Sequence, residues 1–151
     1  MRRSDREIID RNAIEEIIGS AHVCRIGMID GSVPYIVPLN FGYRNGIFYF
    51  HSARQGRKIE ILAHTRQVCL EIDGGHQLVT AEAACDWGMR YVSVIAYGRP
   101  YFIEEPTAKR EALAIIMAQY ATGSFVFPEN ALAVTAVFAV EVETMTGKQK
   151  W

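Results

Sequence analysis

A cationic turn is the part of the sequence whose residue types most clearly suggest a chemistry. Residues 51–58 contain the cations Arg54, Arg57 and Lys58 together with Gly56, between a strand-like pattern and a helix-like pattern. The first turn of a helix carries free backbone N–H groups and the positive end of the helix dipole, and arginine and lysine donate to phosphate oxygens. The pattern therefore indicates a phosphate-binding turn. A turn whose cations are only solvated is the alternative.

Two common nucleotide-binding motifs are absent from the sequence. The P-loop pattern GxxxxGK[ST] does not occur, and neither does the dinucleotide-binding pattern GxGxxG. The turn at residues 51–58 is therefore neither a P-loop nor a Rossmann phosphate site.

A second candidate surface lies on the segment 33–42. Its odd positions are apolar, which predicts a core face, whereas its even positions include Pro34 and Pro38. Because proline cannot donate to a strand ladder, regular pairing should fail near Pro38 and leave neighbouring backbone groups free. A planar ligand with polar edges could bind there. Alternatively, the two prolines protect an edge strand from aggregation.

His51 and residues 87–93 are further candidates. His51 is predicted on the same strand face as Ile47 and Tyr49, directly before the cationic residues, where it either contacts a ligand or is a half-buried imidazole. Residues 87–93 place Trp87 and other aromatic and cationic groups at the start of the longest predicted strand. They either cover the end of a barrel or form an aromatic lid over a flat ligand. Such a lid could be supplied to the site of a partner subunit.

The sequence gives no support for a metal centre or a hydrolase. The other three histidines lie in different predicted elements without an HxH or HExxH pattern, so no metal site is expected. Cys24, Cys69 and Cys85 are widely spaced and odd in number, and we interpret them as buried small hydrophobes. No GxSxG pattern occurs.

Two hydrophobic periods define the elements that must position these residues. A helical period with Asp10 as cap and Gly19 as terminus predicts an N-terminal helical segment at 5–19. Period-two segments separated by Asp-Gly and Asn-Gly turns predict a three-stranded meander. Its strands are 22–29, 33–43 and 47–53.

The remaining pattern completes the element order β-β-β-α-β-β-β-α-β. A helix at 56–64 is followed by strands at 67–73, 77–85 and 89–104, with a turn at Gly74-Gly75 and a bulge near Gly98 and Pro100. A helix beginning at Pro106 has an apolar stripe, and a last strand covers 131–142. The apolar stripe consists of Leu113, Ile116, Met117 and Tyr120.

Length and composition favour one domain over the whole chain. The 151 residues are 50% hydrophobic, 22% charged and carry a formal net charge of −1, which argues against a nucleic-acid-coating protein. No apolar run reaches the length of a membrane span and no secretory signal is evident, so a cytoplasmic location is expected. The element order predicts a small, mostly antiparallel barrel at about 21–143 with helices at its ends.

Several short motifs, in this order and spacing, resemble one known family. They are residues 37–43 (VPLNFGY), 45–46 (NG), 48–53 (FYFHSA), 56–58 (GRK), 91–95 (YVSVI), 98–100 (GRP), 109–113 (KREAL) and 146–148 (TGK). Over about residues 10 to 148 the chain resembles the pyridoxamine 5′-phosphate oxidase-like superfamily with its FMN-binding split barrel. Within that superfamily it is most similar to the 5-nitroimidazole resistance (Nim-type) flavoproteins.

The resemblance implies a fold, a cofactor and an assembly. The expected fold is a six-stranded antiparallel split β-barrel with flanking helices, as a homodimer with FMN at the subunit interface. FMN would lie along residues Val37, Pro38, Leu39 and Asn40, beside His51, Ser52 and Ala53, with its phosphate on Gly56, Arg57 and Lys58. The resemblance also implies cofactor contacts by Ser93 and, from a partner subunit, by Trp87 or Tyr91.

The resemblance also implies an activity. With FMN bound, the chain would be an oxidoreductase that transfers two electrons to a small nitro-aromatic acceptor, and His51 is the candidate for substrate contact or proton delivery. No pyridoxal-phosphate substrate clamp can be identified. The alternatives are a non-catalytic flavin-binding protein and a haem-handling relative that uses His51 as an axial ligand.

Overall fold

The computed structural model describes residues 3–151 and is built around a single antiparallel sheet. Its strands are β1 (Glu7–Ile8), β2 (Cys24–Asp30), β3 (Val33–Leu39), β4 (Gly42–Arg44), β5 (Ile47–Ala53), β6 (Val68–Val79), β7 (Gly88–Phe102) and β8 (Thr135–Lys150). Its helices are α1 (Arg11–Ser20), α2 (Arg57–Leu62), α3 (Pro106–Ala118) and α4 (Glu129–Val134), with 3₁₀ turns at Ser4–Arg6 and Ala84–Asp86.

The strand order is β3-β2-β6-β7-β8-β5-β4, and β1 pairs with β8. Every pair is antiparallel. Within residues 3–151, β3 and β4 form the two ends of this path and do not pair with each other. The mainly antiparallel β fold with flanking helices is confirmed. The expected six strands are not, since the sheet has eight strands and is not closed.

The hydrophobic core that packs against the sheet consists of aromatic and aliphatic side chains. Phe48, Phe50 and Phe138 are fully buried, and the rings of Phe50 and Phe138 stack with centroids 5.1 Å apart. Helix α1 covers the core with Ile14 and Ile18. These contacts hold β5 and β8 together, and the end of β5 and the start of β8 carry part of the candidate site.

The predicted N-terminal helical segment at 5–19 needs correction at both ends. A 3₁₀ turn and β1 precede α1, and the helix continues one residue past Gly19 to Ser20. Gly19 does not adopt the positive φ of a helix-terminating glycine. The predicted cap is confirmed, because the Asp10 side chain accepts a hydrogen bond from the backbone N–H of Asn12.

The predicted strand at 33–43 is wrong, because the chain breaks at Asn40 and Phe41 into β3 and β4. β3 pairs with β2 and β4 with β5, so the two halves end at opposite edges of the sheet. Pro34 and Pro38 lie on an edge strand, as the aggregation-protecting alternative supposed.

Two further boundaries also differ from prediction. Gly74-Gly75 does not turn the chain; β6 continues to Val79 through a register irregularity, with Gly75 at φ 63°. Residues 131–134 belong to α4 instead of the last strand. The predicted bulge at Gly98 is confirmed by a register shift, and a Cβ at this position would overlap the carbonyl oxygen of Glu141.

Helix α3 begins at Pro106 as predicted but buries a different stripe. Ile116 is buried, Leu113 and Met117 are only partly so, and Tyr120 lies beyond the helix end and is exposed. The buried residues of the helix are Lys109, Ala112, Ile115 and Ile116. Within residues 3–151, no helix combines the length and the apolar character needed to cross a membrane.

Candidate functional site

The candidate site is an open pocket of about 530 Å³ formed where the ends of several elements meet. It forms where β3 ends, where β5 ends, where α2 begins and where α4 joins β8. Because Ala53 lies opposite Thr135 in the β5–β8 ladder, the end of β5 and the start of β8 form adjacent walls. The pocket is lined by Pro38, Leu39, Asn40, His51, Ser52, Ala53, Lys58, Val134 and Thr135.

The pocket is lined by residues from both segments that the sequence predicted as candidate surfaces, 33–42 and 51–58. Pro38 and Asn40 come from the proline-containing segment, and His51 and Lys58 from the region of the cationic turn. Sequence reasoning missed Val134 and Thr135, since this position was predicted to lie inside a strand. Their place in the site depends on the β5–β8 register, for which the local sequence contains no signal.

Lys58 is the cation of this pocket. Its side chain is half-buried, and burial lowers the pKa of its ammonium group. Within residues 3–151, Lys58 forms none of the ion pairs that occur within 4.0 Å. A partly desolvated cation without a carboxylate partner is a binding point for an anion.

His51 lies beside Lys58 and is affected by it. Partial burial lowers the pKa of the imidazole, and the charge of Lys58 lowers it further. At neutral pH the ring is therefore uncharged, with one nitrogen able to donate and the other able to accept a hydrogen bond. Ser52 lies next to it, and its hydroxyl donates to the carbonyl oxygen of Ala53 at 2.7 Å.

Arg57 is held by side chains outside the pocket that contains Lys58, and it does not line that pocket. Its Nε donates to Oδ2 of Asp30 at 2.7 Å, and its guanidinium carbon lies 4.5 Å from the centre of the Tyr35 ring. It borders a neighbouring pocket of about 520 Å³, between α2 and the β2–β3 hairpin. The two cations that the sequence grouped together therefore lie on different sides of the start of α2.

The helix that follows the cationic turn is shorter than predicted. α2 has six residues, so its dipole contributes less to anion binding than a full-length helix would. Gly56 is its N-cap with φ 120°, a conformation that favours glycine. Arg54 is also occupied elsewhere, because its Nη1 donates to the carbonyl oxygen of Ala133 at 2.9 Å.

A tyrosine that sequence reasoning assigned to the core supports the Asn40 wall. The Tyr120 hydroxyl accepts from the backbone N–H of Phe41 at 2.8 Å and donates to the carbonyl oxygen of His22 at 2.9 Å. The side-chain amide of Asn40 donates to the same His22 oxygen at 3.4 Å. Tyr120 thus fixes the break between β3 and β4 next to the pocket.

The remaining predicted site residues do not line this pocket. Val37 lies opposite Ile26 and packs against the core. Trp87 is half-exposed and donates to the carbonyl oxygen of Ala81. The ring of Tyr91 lies 5.8 Å from the Lys148 ammonium. Ser93 lies on β7, between β6 and β8.

Metal-ligand clusters are absent from the part of the chain that the structure describes, since no three His, Cys, Asp or Glu side chains are grouped suitably. Cys24 is buried as predicted, and burial raises the pKa of its thiol. The same prediction is wrong for Cys85, which is exposed, and Cys69 is intermediate.

Comparisons with known proteins place this geometry in context. A family profile described as pyridoxamine 5′-phosphate oxidase matches residues 10–149. A Bacteroides thetaiotaomicron protein, proposed to be a 5-nitroimidazole antibiotic resistance protein, is 40% identical with a TM-score of 0.86, over 95% of this chain and 86% of that one. A search of curated proteins finds no match.

Two more distant structures share the fold. The flavocytochrome Anf3 of Azotobacter vinelandii is 21% identical with a TM-score of 0.88, over 100% of this chain and 72% of that one. An FAD and heme binding protein of Mycobacterium smegmatis is 16% identical with a TM-score of 0.88, over 96% and 73%. At these identities the likeness is one of fold alone.

Proposed function

The chain belongs to the pyridoxamine 5′-phosphate oxidase family, and on that premise we propose that it is an FMN-dependent oxidoreductase that reduces a small nitro-aromatic acceptor. The observation that carries the proposal is Lys58, a half-buried cation without an acidic partner in residues 3–151, at the edge of a pocket large enough for part of a planar cofactor. The 40% identity with the proposed nitroimidazole resistance protein supports the acceptor class.

The residues of the pocket fit the chemical parts of FMN. Lys58 provides a cation for the phosphate, and Ser52 and Asn40 provide hydrogen-bonding groups for the ribityl chain and the ring edge. Pro38 provides a small apolar surface on β3, an edge strand that within residues 3–151 pairs only with β2. Leu39 lines the same pocket and packs against the core. We propose that these residues, with Ala53, Gly56 and Val37 as their support, hold the cofactor.

His51 is the proposed site of substrate contact. FMN, when bound, supplies two-electron transfer at its ring. Conversion of a nitro group to a nitroso group consumes two electrons and two protons and releases water. Since the His51 ring is neutral at pH 7, it can hold the acceptor through a hydrogen bond or relay one of these protons.

The working unit that we propose is a homodimer. The pocket is open, and a second subunit would exclude water from it. Exposed aromatic and apolar side chains on the outer sheet face are of the kind found in protein interfaces. We propose that Ser93 and the partner's Trp87 or Tyr91 complete the site across that interface. The cytoplasmic location stays a prediction from the sequence.

Analysis of the cofactor in the purified protein tests the first half of the proposal. We expect a yellow protein that releases FMN in a one-to-one ratio with the chain on denaturation, identified by chromatography against FMN and FAD standards. Release of FAD would mean that the cofactor is FAD and not FMN. A Soret band without flavin would favour the haem-handling alternative, and failure to bind any added flavin would contradict the proposal.

Anaerobic electron transfer tests the second half. The flavin is reduced with dithionite, excess reductant is removed, and a nitroimidazole is added under nitrogen. We expect reoxidation of the flavin, followed at its visible absorbance, with formation of the reduced nitro compound. A flavin that stays reduced would instead support a non-catalytic flavin-binding protein.

A further inference from the structure

Arg57 is held by two side chains that lie outside the candidate pocket. We propose that Asp30 and Tyr35 are positioning residues, which orient Arg57 so that its terminal nitrogens bind the phosphate of the cofactor. This inference rests on the proposed function, and it concerns the recognition of the phosphate within that same site.

The contacts of Arg57 fix the orientation of the guanidinium group. The hydrogen bond from Nε to Oδ2 of Asp30 holds one edge of the group, and the Tyr35 ring, 4.5 Å from the guanidinium carbon, holds one face. Together an edge contact and a face contact leave the planar group little freedom to rotate.

The same contacts leave the terminal nitrogens of Arg57 available. Its only hydrogen bond and its only ion pair within residues 3–151 are made through Nε, so Nη1 and Nη2 are without a partner there. Other arginines of the protein form hydrogen bonds through their terminal nitrogens. Arg25 binds Glu71 and Asp73 through Nη1, and Arg54 binds the Ala133 carbonyl through the same atom.

The position of Arg57 suits a ligand that reaches the start of α2. Arg57 and Lys58 are consecutive, and they border the two pockets on either side of this point. A phosphate dianion located between them would accept hydrogen bonds from the ammonium of Lys58 and from the two terminal nitrogens of Arg57, which form a fork suited to two phosphate oxygens.

The exposure of the Asp30–Arg57 pair indicates that its role is not mainly one of stability. The two side chains are 43% and 49% exposed, and ion pairs at such sites contribute little to folding. An arginine that is already oriented, however, loses less conformational freedom when it binds a ligand. The carboxylate that orients it therefore raises the affinity for that ligand.

Affinities for FMN and riboflavin, which differ by the phosphate alone, test the inference. We expect Arg57→Gln to weaken FMN binding about 10–100-fold, as for a lost charge-assisted hydrogen bond, with riboflavin affinity unchanged. Asp30→Asn and Tyr35→Leu should weaken FMN binding about 3–10-fold, again without an effect on riboflavin. The double variant Asp30→Asn/Arg57→Gln should bind FMN no more weakly than Arg57→Gln alone.

Glu60→Gln is the matched control for Asp30→Asn. Glu60 borders the same neighbouring pocket and, within residues 3–151, forms no ion pair with Arg57, so this change of one charge should leave both affinities unaltered. Asp30→Glu, which keeps the carboxylate, should recover part of the FMN affinity that Asp30→Asn loses.

Several outcomes would overturn the inference. Tighter FMN binding by Asp30→Asn would mean that Asp30 competes with the phosphate, and equal losses for FMN and riboflavin would mean that it supports the fold. If Lys58→Met weakens FMN binding but the Asp30 and Arg57 variants bind like the wild type, this inference fails and the proposed function stands. If the wild-type protein binds neither flavin, both fail.

Discussion

At the scale of single residues, His51 determines how the pocket responds to pH. Its pKa lies below the ordinary value of about 6.5, first because of burial and second because of Lys58. The unfolded chain therefore binds the proton more readily than the folded chain. It follows that the contribution of His51 to stability is constant above about pH 6.5 and declines as the pH falls below it.

We predict that His51→Gln reduces the loss of stability on acidification. The free energy of unfolding of the flavin-free protein, measured by urea denaturation, should fall more steeply between about pH 6.5 and 5 in the wild type than in the variant. His64→Gln is the control, since His64 is exposed and forms no ion pair within residues 3–151. Equal slopes in the wild type and His51→Gln would contradict the assigned pKa shift.

Lys58 has opposite effects on the stability of the free protein and on ligand binding. A half-buried charge without a carboxylate partner is unfavourable in the free protein and favourable when an anion binds. We predict that Lys58→Met raises the melting temperature of the flavin-free protein and weakens FMN binding about 10–100-fold. Calorimetry and fluorescence titration measure the two effects.

Lys58→Arg separates charge from shape in this experiment. It retains the cation, so FMN binding should weaken less than in Lys58→Met. The proton resonances of His51 provide an independent measurement, because removal of the neighbouring charge should raise the pKa of the imidazole in Lys58→Met only. A lower melting temperature together with unchanged FMN affinity in Lys58→Met would contradict the role of Lys58 as the anion-binding cation.

At the scale of elements, local signals in the sequence predicted local structure. Asp10 and Pro106 marked the beginnings of α1 and α3 because a cap and a first-turn proline act within a few residues. Gly74-Gly75 and the segment 33–43 were misinterpreted because the outcome there depends on distant partners. Gly75 permits a bulge as readily as a turn, and only the pairing of β6 with β7 selects the bulge.

The candidate site was predictable to the same extent. His51, Ser52 and Lys58 are near one another in the sequence, and their residue types indicated an anion-binding region directly. Tyr120 and Thr135 could not be assigned to the site in this way. Their roles arise from long-range packing at the end of α3 and from the β5–β8 register, which residue type does not encode.

We predict that Tyr120→Phe loosens the break between β3 and β4. Loss of the hydroxyl leaves the backbone N–H of Phe41 without its partner, which should cost about 1–2 kcal/mol of unfolding free energy. Because Asn40 lies next to this break, flavin affinity should fall as well. Thermal denaturation and FMN titration measure the two effects.

Tyr101→Phe is the control for that experiment. The Tyr101 hydroxyl makes no side-chain hydrogen bond within residues 3–151 and lies outside the candidate pocket, so stability and FMN affinity should both be close to those of the wild type. A Tyr120→Phe variant with wild-type stability would show that water replaces the hydroxyl at this position.

At the scale of the whole molecule, the open sheet creates the pocket and leaves it open to solvent. β3 and β4 lie at opposite ends of the strand order, although they are consecutive in sequence. The chain that joins them brings Asn40 to the ends of β5 and β8, where Lys58 also lies. The resulting pocket is open to solvent, and we propose that a second subunit completes it.

We propose that one row of residues on the outer sheet face forms the contact with such a subunit. The β-ladder registers place Ile36, Gly27, Cys69 and Tyr97 in one row across β3, β2, β6 and β7. Ile36 is 64% exposed and Tyr97 is 45% exposed, while the small residues between them leave an apolar groove. A charged side chain placed in this row would prevent close contact between two copies of the chain.

We predict that the wild-type protein is a dimer at micromolar concentration and that Tyr97→Asp shifts it to monomer, measured by sedimentation velocity. Because the proposed flavin site is completed by the partner, FMN affinity should fall together with dimerisation. Phe125→Asp, at an exposed aromatic residue outside the row, should remain dimeric and bind FMN normally. A Tyr97→Asp variant that stays dimeric would place the interface elsewhere. A wild-type monomer that binds FMN tightly would show that one subunit forms the whole site.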